Sequence, residues 1–202
     1  MFDVLLFLSY YTQLLAIMNP FSVIPTFIAL TKGVDEKGVR KIVKKATLAG
    51  LFIVVTFTLV GRQILEVFNV STAGLRVGGG IILLTIALDM LGDEVRTKKM
   101  SREDVAVVPI ATPLIIGPGT MTTILLLTSS TRSYNEHLMI LIAGILACLT
   151  SFAILYVSEK LTRVVPLSTL RALGRFMALI IAGVAVEMIV HGIHQYYVDL
   201  FT

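Results

Sequence analysis

The stretch NPFSVIP, residues 19–25, interrupts an apolar run that extends from Val4 to Leu30. A helix that only has to cross a bilayer has no use for an asparagine and two prolines at its middle. Each interior proline removes a backbone donor and clashes with the carbonyl four residues earlier, at a cost of about 3 kcal/mol. Backbone groups freed in hydrocarbon persist only where protein or a watery cavity satisfies them. The run is also long: fully helical, it would measure about 40 Å at 1.5 Å per residue, against a hydrocarbon core of about 30 Å. That excess leaves room for an unwound segment.

The rest of the chain explains the setting. Of its 202 residues, 56% are hydrophobic and 15% charged, and its mean hydropathy is +0.90. An average soluble domain is about a quarter charged. Six apolar runs are predicted to span a membrane: Val4–Leu30, Ala46–Val60 with its flanks, Gly74–Leu91, Val105–Thr128, His137–Val157 and Leu173–His194. The first lacks a basic leader and a small-residue cleavage site, so it is expected to be a span and not a cleaved signal peptide. Cys148 is the single cysteine and cannot form an internal disulfide. The chain is read as one transmembrane domain over residues 1–202, with no linker or low-complexity segment.

Charge then predicts orientation. Fourteen of the 17 basic residues fall in three connections, from Lys32 to Lys45, from Arg96 to Arg102 and from Lys160 to Arg175. Only Arg62, Arg76 and Arg132 lie on the other side. Lysine and arginine accumulate in cytoplasmic loops, so both termini are expected outside, in the cytoplasmic (inner) membrane. The net charge of +4 has the same explanation, and no nucleic-acid partner is expected.

An inverted duplication is legible beneath this topology. Shifted by 93 residues, Pro20 falls on Pro113, Pro25 on Pro118 and Asn19 on Thr112. A shift of 98 lays residues 75–90 over 173–188, so that Asp89-Met90 meets Glu187-Met188. Repeat A is placed at about 1–95 and repeat B at about 103–202. With three spans per half, the halves enter the membrane from opposite sides, as in many secondary transporters. A single proline in a membrane helix is ordinarily a kink. The repeated pair of prolines, with Gly117-Pro118-Gly119 in the second copy, predicts instead that spans one and four are both discontinuous. A broken helix exposes an amide end that favours an anionic group. Two such breaks facing one another at mid-membrane could hold a small zwitterion. The candidate binding residues are Asn19, Pro20, Ser22, Pro25, Thr26, Thr112, Pro113, Gly117, Pro118, Gly119, Thr120 and Thr123, with Thr122 nearby.

The stretches NPFSVIPTF, PLIIGPGTMTT and GGGIILLTIALDML together resemble the MarC family of six-span membrane proteins, over essentially the whole chain. The resemblance implies a transporter fold related to the LysE exporter group. Its SnatA-type members carry small neutral amino acids such as glycine and alanine. Family members often have glycine two residues after the first proline, where this chain has Ser22.

Other features receive plainer readings. Glu187 is expected to face the bundle interior, because a charge at the bilayer centre is costly. With Asp89, which is expected near the cytoplasmic end of its span, it is the candidate for coupling to H+ or Na+. His191 and His194 are read as interfacial, since zinc would need further ligands. Gly78, Gly79 and Gly80 are read as a close helix-packing surface, and Arg76 and Arg175 as interfacial. No catalytic set of side chains and no cofactor are expected. The reading is an all-α integral membrane protein of six transmembrane helices in two inverted three-helix repeats. It would act as a secondary active transporter of glycine or alanine, by alternating access. The alternatives are an exporter of amino acids or of another small metabolite, an intramembrane enzyme, or a channel.

Overall fold

The computed structural model describes residues 3–92, 115–131 and 133–201. Among them are eight helices and no strand. The protein is an all-helical, multi-pass membrane protein. Five stretches are long and apolar enough to cross a bilayer: 4–31, 36–67, 72–91, 134–156 and 167–199. The expected fourth span, 105–128, lies partly outside the described residues.

Local chemistry sets where each helix starts. Helix α1 (Val4–Met18) is capped by Asp3, whose carboxylate accepts from the N–H groups of Leu5 and Leu6. It stops at Asn19, which takes a left-handed conformation (φ 37°, ψ 65°) and donates its N–H to the Leu15 carbonyl. Asparagine is one of the few residues that tolerates this region. Helix α2 (Pro20–Thr31) then begins on a proline, at the position where a missing N–H costs nothing. Helix α3 (Glu36–Val67) is capped by Asp35 accepting from Gly38, and α4 (Thr72–Leu91) by Ser71 accepting from Gly74. Helix α5 (Pro118–Ser130) also begins on proline, after an extended Gly117. Helices α6 (Tyr134–Tyr156), α7 (Ser158–Val164) and α8 (Leu167–Phe201) complete the described chain.

Two helices exceed their expected lengths. The basic stretch Lys37–Lys45, read from sequence as a loop, forms the first turns of α3, since nothing after the Asp35 cap breaks the helix and Arg40 pairs with Glu36 at 3.7 Å. Helix α8 runs 35 residues, about 52 Å at 1.5 Å per residue. Both therefore project beyond a hydrocarbon core of about 30 Å.

Packing divides the bundle in two. One core joins α1, α2, α3, α5 and α6 through Leu14, Met18, Ile24, Val54, Ile124 and Phe152. A second joins α4 and α8 through Leu83, Ala87, Ile181 and Ala185. Lipid supplies no hydrophobic drive between helices, so close approach of small residues carries the association. The antiparallel pair α4–α8 meets in this way. A Cβ on Gly80 would lie 2.7 Å from the Ala185 carbonyl oxygen, and one on Gly192 3.0 Å from that of Ala73. Helix α5 sits between α3 and α4, with Gly61 against Leu125 and Gly119 against Leu83. Of the glycine triplet, Gly79 and Gly80 face neighbouring helices while Gly78 faces open space.

Candidate functional site

The break at Asn19 and the start of α5 meet at the boundary between the two cores. A cavity of about 630 Å³ lies there, walled by α2, α4, the first turn of α5 and the start of α8. Of the residues singled out from sequence, Ser22, Pro25, Thr26, Gly117, Pro118, Gly119 and Thr120 all line it. Segments almost a hundred residues apart in the chain thus share one chamber. Ile17, Leu83, Ile86 and Ile181 supply an apolar lining, and Asp89, Arg171 and Arg175 supply charge. A second hollow, of about 500 Å³, is bounded by α8 residues alone and is an open flank of one helix.

Asn19 stands behind the α2 wall and is 2% exposed. Its Nδ2 donates to the Gly174 carbonyl at 3.3 Å and lies 4.0 Å from Met90 Sδ. Its Oδ1 has no hydrogen-bond partner among the described residues. A buried amide oxygen left unpaired costs about 1–3 kcal/mol. The Asn19 carbonyl is occupied: Ser22 donates to it through both its N–H (3.2 Å) and its hydroxyl (3.0 Å). Pro20 is buried and forms the first residue of α2, so it shapes the wall without lining it.

The opposite wall is built differently. In the first turn of α5 the N–H groups of Gly119 and Thr120 have no acceptor within the helix, whereas the hydroxyls turn back on the backbone. Thr120 donates to the Ile115 carbonyl at 3.2 Å, Thr122 to Pro118 at 2.9 Å and Thr123 to Gly119 at 2.9 Å. Thr123 is fully buried and does not line the cavity. Thr112 and Pro113 lie outside the described residues.

Two charged positions depart from expectation. Glu187 does not face the bundle interior; it is exposed on α8. Ile181, Ala185 and Met188 are the α8 residues packed against α4, and Glu187 lies roughly 160° around the helix from Ala185 at 3.6 residues per turn. Asp89 does line the cavity, as does Arg175, which was expected only at the interface. Sequence reading missed Gly174 altogether. A Cβ there would lie 3.3 Å from Ser22 Cα, so the absent side chain is what lets α8 approach the break. A glycine in an apolar run carries no local sign of such a contact. Among the described residues, no three His, Cys, Asp or Glu side chains gather as metal ligands do.

At the other end of the bundle, polar contacts tie the helices together. Ser71 hydrogen-bonds Tyr196 (3.2 Å), Gln195 donates to Thr72 (3.1 Å) and Arg76 donates to Ser130 (3.3 Å). These bonds link α4 to α8 and to the end of α5, away from the cavity.

Comparison with known proteins agrees with the resemblance read from sequence. Residues 4–197 match the family described as MarC family integral membrane protein. A UPF0056 membrane protein of Methanocaldococcus jannaschii is 31% identical over 199 residues, covering 95% of this chain and 97% of the relative. One from Pyrococcus horikoshii is 32% identical over 192 residues, covering 93% and 94%. The UPF0056 membrane protein YvbG of Bacillus subtilis is 29% identical over 194 residues, covering 91% and 92%. No solved structure matches the chain significantly. The chain belongs to the MarC family.

Proposed function

We propose that this MarC family member is a secondary active transporter of small neutral amino acids of the glycine and alanine class. In this reading six spans form two inverted three-helix repeats, and the substrate binds between discontinuous helices of spans one and four. The observation that carries it is the shared chamber, where α2 and α5, each opened by a proline, present Ser22 and Thr26 opposite Gly117–Thr120. The volume corresponds to about 20 waters at ~30 Å³ each, so the site accepts a small solvated zwitterion. The amide end of α5 favours the substrate carboxylate. The Ser22 lone pairs favour its ammonium group.

The chamber reaches Gly92, Arg171 and Arg175, at the end assigned to the cytoplasm by the basic loops. This arrangement fits an inward-facing state, with both termini outside and the Ser71–Tyr196, Gln195–Thr72 and Arg76–Ser130 bonds closing the outer side. Alternating access then requires those bonds to part while the chamber end near Gly92, Arg171 and Arg175 closes. A gradient of H+ or Na+ supplies the drive, with Asp89 in the chamber as the coupling carboxylate.

The test is counterflow in proteoliposomes. Unlabelled glycine or alanine trapped inside should accelerate entry of the labelled amino acid. Product formation without vectorial movement would identify an enzyme, and uptake without exchange acceleration a channel. The direction of the imposed gradient that gives net flux distinguishes import from export.

A further inference from the structure

Glu187 presents a problem that the chamber does not solve. Gln195 and Tyr196 meet the first residues of α4, while Arg175 lies at the opposite, cavity end of the same helix pair. The distance from Arg175 to Gln195 along α8 is about 30 Å, one hydrocarbon thickness. Glu187 lies about 18 Å from the first and about 12 Å from the second, well inside that slab. Its side chain is too short to reach either surface as lysine and arginine do. A carboxyl group facing acyl chains at this depth is costly, so it calls for a polar partner.

We propose that the α8 face carrying Glu187 is the seam of a homodimer, in which each Glu187 carboxyl pairs with His191 of the other copy. His191 follows one turn later and is also exposed. Its Nδ1–H donates to the Glu187 carbonyl at 2.8 Å, which leaves Nε2 available to a second chain. Carboxyl and imidazole are complementary, whether the proton they share sits on oxygen or nitrogen. Copies inserted with the same orientation bring Glu187 of one and His191 of the other to within one turn of the same depth, an offset of about 6 Å that the two side chains can bridge across the seam. A twofold axis along the membrane normal then repeats the pair on both sides. An unrelated protein would have to place a matching group at that depth independently.

The backbone also permits close approach. Gly183 lies one turn before Glu187, is exposed, and has nothing within 4 Å of where a Cβ would stand. Val186 and Val190 flank it, at 50% and 58% exposure. The α8 contacts with α4 lie on the opposite side of the helix. The seam rests on the depth and exposure of α8, and is independent of the carrier reading.

The experiment is disulfide trapping of the full-length protein in liposomes, in a Cys148→Ser background. Val190→Cys is expected to give an oxidised dimer, while Phe52→Cys, exposed on α3, is not. In a fluorescence-transfer assay of the otherwise unmodified protein, Glu187→Ala and His191→Ala should each weaken dimerisation roughly tenfold, as for the loss of interhelical hydrogen bonds in a membrane. Monomers at all accessible protein-to-lipid ratios would overturn the proposal. So would equal trapping at the α3 control, or dimers unaffected by either alanine. Counterflow on the same samples reports the carrier activity separately, so a failed seam is distinguishable from a failed transporter.

Discussion

Helices α2 and α5 both open on a proline and face one cavity, yet they offer it different chemistry. Before Pro20 stands a left-handed Asn19, and α2 then turns Ser22 and Thr26 toward the chamber. Before Pro118 stands an extended Gly117, and the α5 threonines spend their hydroxyl protons on their own backbone. The first wall contributes polar side chains and the second a helix terminus. The same breaker motif therefore sets where a helix begins, while the neighbours of each helix decide what it exposes. In α5 the tight contact of Gly119 with Leu83 holds the first turn against α4. Helix α2 instead leaves the Asn19 amide suspended between Met90 and Gly174.

Removing both breakers should have the largest effect. In Pro20→Ala/Pro118→Ala both helices can extend through the chamber, and we expect counterflow to vanish while the protein still inserts. Normal counterflow in that variant would end the two-wall model. Next comes Gly174→Val, which forces side-chain atoms against the Ser22 backbone. Overpacking of this kind costs about 1–3 kcal/mol, so a lowered thermal midpoint and poor transport are expected. A fully stable variant would show that α8 does not press on the break.

Asn19→Ala probes the asymmetry itself. It removes the bond to Gly174, worth about 1 kcal/mol, and the unpartnered oxygen with it. The Asn19 oxygen is buried behind the α2 wall, so a lowered thermal midpoint with KM changed by less than about twofold is expected. A KM raised roughly tenfold would instead place Asn19 at the substrate. A further comparison is Asp89→Asn with Glu187→Gln. Asp89 lines the chamber and Glu187 does not, so only the first should alter the dependence of uptake on the proton or sodium gradient. The reverse result would return coupling to α8. The smallest effect is expected for Thr123→Val, whose hydroxyl serves only the Gly119 carbonyl. Transport should stay within about twofold, because such a local bond is worth at most about 1 kcal/mol.

Much of the fold was legible because its causes are local. Hydrophobic length marked five of the spans and the prolines marked the interruption of the first, whereas the caps Asp3, Asp35 and Ser71 that fix the helix starts emerged only in the structure. The length of α3 was misread because a cluster of lysines looks like a loop, although nothing in it breaks a helix. The cavity residues were found through the repetition of prolines, a signal independent of contacts. Gly174 and the orientation of Glu187 left no comparable trace. In an apolar run nearly every face of a helix is hydrophobic, so periodicity does not distinguish the lipid side from the protein side.

The chain by itself determined that this is a multi-pass membrane protein of helices, and that the first apolar run is interrupted somewhere within residues 19–25. Hydrophobic length and missing backbone donors are properties of neighbouring residues and need no fold to act. Only the tertiary structure decided that Ser22 and Thr26 meet Gly117–Thr120 across one chamber, that Asp89 lines it, and that Glu187 turns away from the bundle. Those outcomes depend on which helices meet and how each is rotated. Close contacts such as Gly80 on Ala185 and Gly174 on Ser22 settle that rotation, because packed backbones accept few alternatives.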